Sequence, residues 1–247
     1  MRRLRLVSDA FPGDPGLDAA VSRVLLERVA DGESPETLRL YVPDRLVAFG
    51  SRDAVHPEYP RARRAAEAAG FGCYLRLAGG RAAVFHEHTI AFAWAAPSAE
   101  PRGTIEARFA EIGEILIEAL GSLGVDARRG EIPGEYCPGS SSINAAGRTK
   151  LAGIGQRLIR GAAHVGGVLV VDRPDLVNRA LKPVYGAFGY DWNPAATGAV
   201  ASEVAADVAT VAAAVRAAFA ERHHLEPGAV DSATLDRARS LRRGAAR

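Results

Sequence analysis

The chain has no uninterrupted apolar run near the ~20 residues that a membrane-spanning helix requires, so no span is expected. Its opening, MRRLRLVSDAFPGDPG, is basic but lacks the apolar stretch of roughly 7–15 residues that follows the basic start of a secretory signal. A cytoplasmic protein without membrane association is expected. Cysteine is scarce: Cys73 and Cys137 are the only two, too few for a disulfide framework. Neither stands in a CxxC or Cys/His spacing that would hold zinc, so no metal site is expected. Each is read first as a small apolar residue and otherwise as a reactive thiol. Charge of one sign is also missing. With 31 basic against 29 acidic residues the net charge is +2, which excludes the basic footprint of a nucleic-acid binder.

What is present is a chain of 247 residues, 48% hydrophobic, enough to bury one sizeable core. Asp14 and Pro15 form a cap and first turn, and Leu17, Val21, Val24, Leu25 and Val29 then repeat at helical spacing up to Gly32. Leu38–Val42 and Leu46–Phe49 read as strands around Pro43 and Asp44, which predicts a hairpin. Tyr59–Ala69 reads as a helix closed by Gly70. Phe71, Cys73, Leu75 and Leu77 alternate as in a half-buried strand, and Val84–Trp94 reads as another. Ile105, Phe109, Ile112, Leu116 and Leu120 mark a long helix. Lys150–Arg160 and Ala162–Val171 read as paired strands, and Pro174 opens a short helix through Leu181. Val204, Val208, Val211, Val215 and Phe219 form an apolar helical stripe, and a last helix covers Thr234–Leu241. Asn193–Ser202 looks like a linker. The order predicts an α+β fold, a mostly antiparallel sheet with packed helices. A main domain is placed at 1–190, with a helical C-terminal extension, 191–247, packed on it.

Two segments carry residues suited to chemistry. In RLAGGRAAVFHEHTIAFAW, Gly79 and Gly80 interrupt strand-like sequence between Arg76 and Arg81. Paired glycines read first as an ordinary turn, but they also allow backbone N–H groups to approach an anionic ligand beside the two arginines. His86 reads first as a hydrogen-bonded structural histidine. In EYCPGSSSINAAGRTKLAGIGQRLIRGAAHVGGVLVV, Lys150 stands in strand-like sequence, where a lysine is ordinarily the solvent-facing partner. Gly153, Gly155 and Gly161 strip side chains from its surroundings, as a close ligand would require. Cys137 lies thirteen residues earlier, in a loop with Pro138, Gly139 and serines, where a nearby ammonium would favour the nucleophilic thiolate.

RLAGGRAAVFHEH followed by GRTKLAGIGQR resembles the biotin/lipoate A/B protein ligase and transferase superfamily over roughly Leu38–Val171. The resemblance implies that superfamily's catalytic-domain fold, with Arg76, Gly79, Gly80, Arg81 and His86 lining an acyl pocket. It places the family lysine at Lys150, with Gly153 and Gln156 completing a Lys-x-x-Gly-x-x-Gln pattern. CPGSSSI is most similar to the octanoyl transferases that use a loop cysteine, including those acting between the glycine cleavage H protein and lipoyl domains. Cys137 would then carry the acyl group. Ser142 departs from an expected aspartate, and His88 from a common glycine.

The implied activity moves an octanoyl or lipoyl group, drawn from an acyl carrier protein or the glycine cleavage H protein, through a Cys137 thioester onto the acceptor lysine of a lipoyl domain, with no cofactor required. Lys150 is expected to stabilise the oxyanion, and Lys150→Ala to abolish transfer without disturbing the fold. A rival reading is an ATP- and Mg-dependent lipoate-protein ligase acting through an acyl-adenylate. Cys137 has no required part there, and the stretch after Tyr190 is short for an accessory domain. A third is a non-catalytic binder of lipoyl domains or acyl groups, which would need neither Cys137 nor Lys150. Biotin attachment is disfavoured by the lack of a GRGRxGR-type loop.

Overall fold

The computed structural model describes residues 1–245. The chain begins with β1 (Arg2–Val7), α1 (Pro15–Ala30), β2 (Thr37–Tyr41), β3 (Leu46–Phe49), α2 (Ser51–Ala54) and α3 (Tyr59–Ala68). It continues through β4 (Gly72–Leu75), β5 (Ala83–Phe85), β6 (Thr89–Pro97), α4 (Ile105–Ser122), β7 (Ala127–Arg129) and β8 (Ile143–Ala145). Then come β9 (Thr149–Ile159), β10 (Ala162–Val170) and α5 (Pro174–Phe188). Two short 3-10 turns, Pro194–Ala196 and Val200–Ser202, lead to α6 (Val208–Arg222), β11 (His223–Gly228) and α7 (Ser232–Ala245).

Eight strands form one sheet in the order β11-β1-β2-β6-β10-β9-β8-β7, and three form a second, β4-β3-β5. The large sheet is antiparallel except where β1 meets β11 and β2. Alternation along β6 explains the layering. Ile90, Phe92 and Trp94 share one core with Ile112, Leu116 and Leu120 of α4 and Val211, Val215 and Phe219 of α6. Side chains one position along a strand point to the other face. There the small Ala95 packs with Leu26 and Val29 of α1. The small sheet is covered by α3 and α5, whose Ala62, Ala66, Leu181 and Val184 close around Val47 and Phe49. No helix among the described residues is long and apolar enough to cross a membrane.

Several expectations are corrected. Leu38–Val42 and Leu46–Phe49 make no hairpin: β2 is held on one edge by β1 and on the other by β6, so β3 has no edge to pair with and joins the small sheet. Val84–Trp94 is two strands in different sheets, broken where Thr89 N–H bonds back to His86 O at 2.9 Å. Asn193–Ser202 is no linker. Ala196, Thr197, Ala199 and Val200 are buried, and Gly198 N–H donates to Lys150 O at 2.9 Å. The helix opened by Pro174 runs past Leu181 to Phe188, carrying Pro183 inside it, and ends on Gly189 at φ +68°. The stretch 191–247 is not only helical: β11 pairs with β1 and extends the large sheet, a parallel contact between chain ends that no local pattern announces.

Two buried histidines make stability depend on pH. His86 and His164 are driven by desolvation down to about 4. In the unfolded chain each takes up a proton near pH 6.5, while in the folded chain each stays neutral until about pH 4. The unfolded state therefore binds more protons across that window. Stability falls as pH drops from about 6.5 to 4, by on the order of 3 kcal/mol for each histidine. Urea midpoints at pH 7 and pH 5 measure this, and His86→Asn with His164→Asn is expected to flatten the difference.

Candidate active site

A cavity of about 410 Å³ opens where the two sheets meet. That volume suits a small-molecule ligand, for which pockets run from roughly 300 to 1,000 Å³. Its floor is the β9/β10 pair, with Gly153, Ile154, Gln156, Leu158 and Val168. Ile105 and Phe109 of α4 form one wall and the loop after β4 another. Gly155 lets that loop seat: a Cβ there would lie 2.9 Å from Ala78 Cβ. The lining is largely aliphatic and aromatic, with Cys137, Lys150 and Arg76 as its reactive or cationic members.

Cys137 sits at φ +42°, a left-handed backbone rare outside glycine. Three partners hold it. Its N–H donates to Tyr185 Oη at 2.9 Å, and that hydroxyl donates to Ala82 O at 3.0 Å. Its carbonyl accepts from Lys150 Nζ at 2.8 Å. Its sulfur accepts from Arg76 Nη2 at 3.3 Å, so the cation touching the thiol is Arg76. The same Nη2 donates to Arg81 O at 2.6 Å, which fixes the guanidinium, while Arg76 Nε is buried without a partner. Gly80, at φ +96°, leaves the room this contact needs: a Cβ there would lie 2.8 Å from Sγ and 2.7 Å from Arg76 Nη2.

Lys150 does not face solvent. Its side chain is 1% exposed and ends on Glu135 Oε1 at 2.9 Å, Tyr136 O at 2.9 Å and Cys137 O at 2.8 Å. An ammonium has three donors, and all three are spent on the loop that carries Cys137. Lys150 therefore holds the shape of that loop, and in this arrangement has no N–H left for an oxyanion. The N–H groups of Gly79 and Gly80 have no hydrogen-bond partner among the described residues, and Gly80 packs against the Cys137 sulfur.

Of the sequence-derived residues, Cys137, Lys150, Arg76, Gly79, Gly80, Gly153 and Gln156 line this cavity. Gln156 is tied down, accepting from Arg108 Nε and donating to Ile105 O, both at 2.8 Å, so it anchors the first turn of α4 over the pocket. Arg81 and His86 do not line it. The Arg81 guanidinium lies 4.4 Å from the Tyr190 ring centre, because its backbone turns away to present the carbonyl to Arg76. His86 is buried in the turn between β5 and β6, where Nδ1 accepts from His88 N–H at 3.2 Å and Nε2 has no partner. Sequence reasoning missed Glu135 and Tyr185. Nothing local marks either one: Tyr185 lies in the apolar stripe of a helix 48 positions from Cys137. Tyr185→Phe leaves Cys137 N–H and Ala82 O without their partner. A loss of about 1–3 kcal/mol in urea unfolding is expected.

The sequence profile of the lipoyl protein ligase A/B catalytic domain matches residues 14–219. The chain belongs to that family. This family member is 29% identical over 165 residues to an octanoyl-GcvH:protein N-octanoyltransferase of Geobacillus kaustophilus, covering 65% of this chain and 58% of the relative. It is 26% identical over 163 residues to a lipoyl-GcvH:protein N-lipoyltransferase of Listeria monocytogenes, covering 64% and 58%. The matched part thus spans somewhat over half the length of these relatives. Among solved structures, a lipoate-protein ligase A bound with ATP superposes with a TM-score of 0.77 at 20% identity, covering 98% of this chain and 94% of the other. A bi-partite lipoate protein ligase from Thermoplasma acidophilum, described with its E2 lipoyl domain, gives 0.75 at 18% identity, covering 98% and 92%. At those identities the likeness is one of fold, and it agrees with the α+β arrangement read from the sequence.

Proposed function

We propose that this protein moves an octanoyl or lipoyl group through a thioester on Cys137 to the acceptor lysine of a lipoyl domain. The observation that carries the reading is Cys137 Sγ at the wall of a largely apolar cavity, 3.3 Å from the Arg76 guanidinium. In the first step the cysteine sulfur attacks the donor thioester; a new C–S bond forms, the old one breaks, and the donor leaves as a thiol. In the second the acceptor amine attacks the Cys137 thioester, forming an amide and returning the cysteine. One thioester replaces another and an amide then replaces a thioester, so neither step calls for ATP. Splitting the transfer in this way is covalent catalysis. The Gly79 and Gly80 N–H groups and Arg76 serve the developing oxyanion, in place of the expected Lys150.

The test supplies an octanoyl thioester and a lipoyl-domain acceptor without ATP. Acceptor gaining one octanoyl group is the expected result. Labelling that requires free octanoate and ATP would establish the ligase reading instead.

A further inference from the structure

We infer that Glu135 is the positioning residue of this site, a carboxylate that fastens the nucleophile loop at both ends and joins it to Lys150. The inference rests on the acyl-transfer reading only for its kinetic arm. Glu135 is buried. Its Oε1 accepts from Lys150 Nζ at 2.9 Å, Ser142 Oγ at 2.6 Å and Gly139 N–H at 3.2 Å, and its Oε2 accepts from Ile132 N–H at 3.1 Å. Ile132 and Gly139 flank Cys137, so one carboxylate closes the loop that presents the thiol. Three of these donors converge on Oε1 and one on Oε2, so both oxygens of the carboxylate are engaged. Glu135 is also absent from the cavity lining, so it touches no bound acyl group and acts through its partners.

The path from this carboxylate to the sulfur is short. Glu135 orients the Lys150 ammonium, which gathers the Tyr136 and Cys137 carbonyls and so sets the peptides on both sides of Cys137. Pro138 disfavours the right-handed helical region for the residue before it, and Cys137 takes the left-handed one, at φ +42°. That backbone aims Sγ at Arg76. Release of the Glu135 end would let the peptides rotate and carry the sulfur away, and a displacement near 1 Å can cost about a hundredfold in rate.

The test exploits Ser142, whose hydroxyl lies 2.6 Å from Glu135 Oε1, so an aspartate there returns negative charge to the same place. Three proteins are compared with the wild type: Glu135→Gln, Glu135→Gln with Ser142→Asp, and Glu135→Gln with Ser142→Asn. The expected result for the single variant is a fall of about a hundredfold in kcat for acyl transfer with KM unchanged. Adding Ser142→Asp restores kcat to within about tenfold of wild type, and adding Ser142→Asn does not. Amide hydrogen exchange over residues 132–139 is read in parallel, needs no acyl donor, and should quicken and recover in the same pattern. Equal rescue by Ser142→Asp and Ser142→Asn, or wild-type kcat in the single variant, would show a packing role and overturn the inference. Should the wild type transfer no acyl group, the acyl-transfer reading fails while the exchange pattern still decides the inference. If Glu135→Gln does not fold, Glu135→Asp, one methylene shorter and still charged, is used. Exchange unchanged from wild type would then overturn the inference.

Discussion

Lys150→Ala is expected to unfold far more easily than the wild type and to form no transfer product. The buried ion pair explains why both follow. Truncation at 150 leaves the Glu135 carboxylate, itself fully enclosed, without its cation. Removing one member of a buried pair costs about 3–5 kcal/mol, a large share of the roughly 5–15 kcal/mol that stabilises an ordinary domain. For a chain of this size that amounts to a fall in Tm of about 10 °C or more. The sequence reading expected an intact fold because it placed Lys150 on a wetted strand face. A double variant, Lys150→Met with Glu135→Leu, removes both charges and is expected to regain part of the stability, since a buried pair is often replaceable by apolar residues. It regains no transfer, because the carbonyls of Tyr136 and Cys137 still lack the donor that orders them. Thermal unfolding beside a transfer assay separates the two effects. A Lys150→Ala protein with wild-type Tm would contradict the assignment of the lysine as the holder of the loop.

Gly80→Ala carries the second large effect, and it acts on the thiol with little change in stability. The added methyl would lie 2.8 Å from Cys137 Sγ and 2.7 Å from Arg76 Nη2, distances that force one or both aside. The loop cannot retreat, because the Gly80 carbonyl is already pressed against the Cα of Gly50. The expected result is a loss of about a hundredfold in the rate of Cys137 acylation. The left-handed backbone at 80 adds roughly 1 kcal/mol of instability, a few degrees in Tm. Gly121→Ala, in α4 with nothing within 4 Å of the added methyl, is the control and should acylate at the wild-type rate.

How much of this could be read from the sequence depended on whether the signal was local. The β9/β10 pair was legible because apolar residues and glycines alternate along two adjoining runs. Cys137 and Lys150 were legible as a pair because the thiol lies in a proline- and serine-bearing loop before a glycine-rich strand, and the family resemblance then placed both. Lys150's orientation was not, because Lys150, Leu151 and Ala152 at the start of β9 are all buried, so both faces are covered there and alternation says nothing of which is wet. His86 was placed in the pocket by its position in the motif, yet the change of sheet between β5 and β6 turns it into the protein. Glu135 and Tyr185 were invisible because each acts on Cys137 through contacts set only by the folded chain. The β1/β11 pairing joins the two ends of the fold and has no sequence signature beyond ordinary strand composition.

The most direct test of the central claim is peptide mass spectrometry after incubation with an octanoyl thioester alone, comparing the wild type with Cys137→Ser. An octanoyl increment on the Cys137 peptide that hydroxylamine removes, and that the serine variant lacks as a thioester, is the predicted result. A Cys137 peptide that stays unmodified in the wild type after that incubation would contradict it.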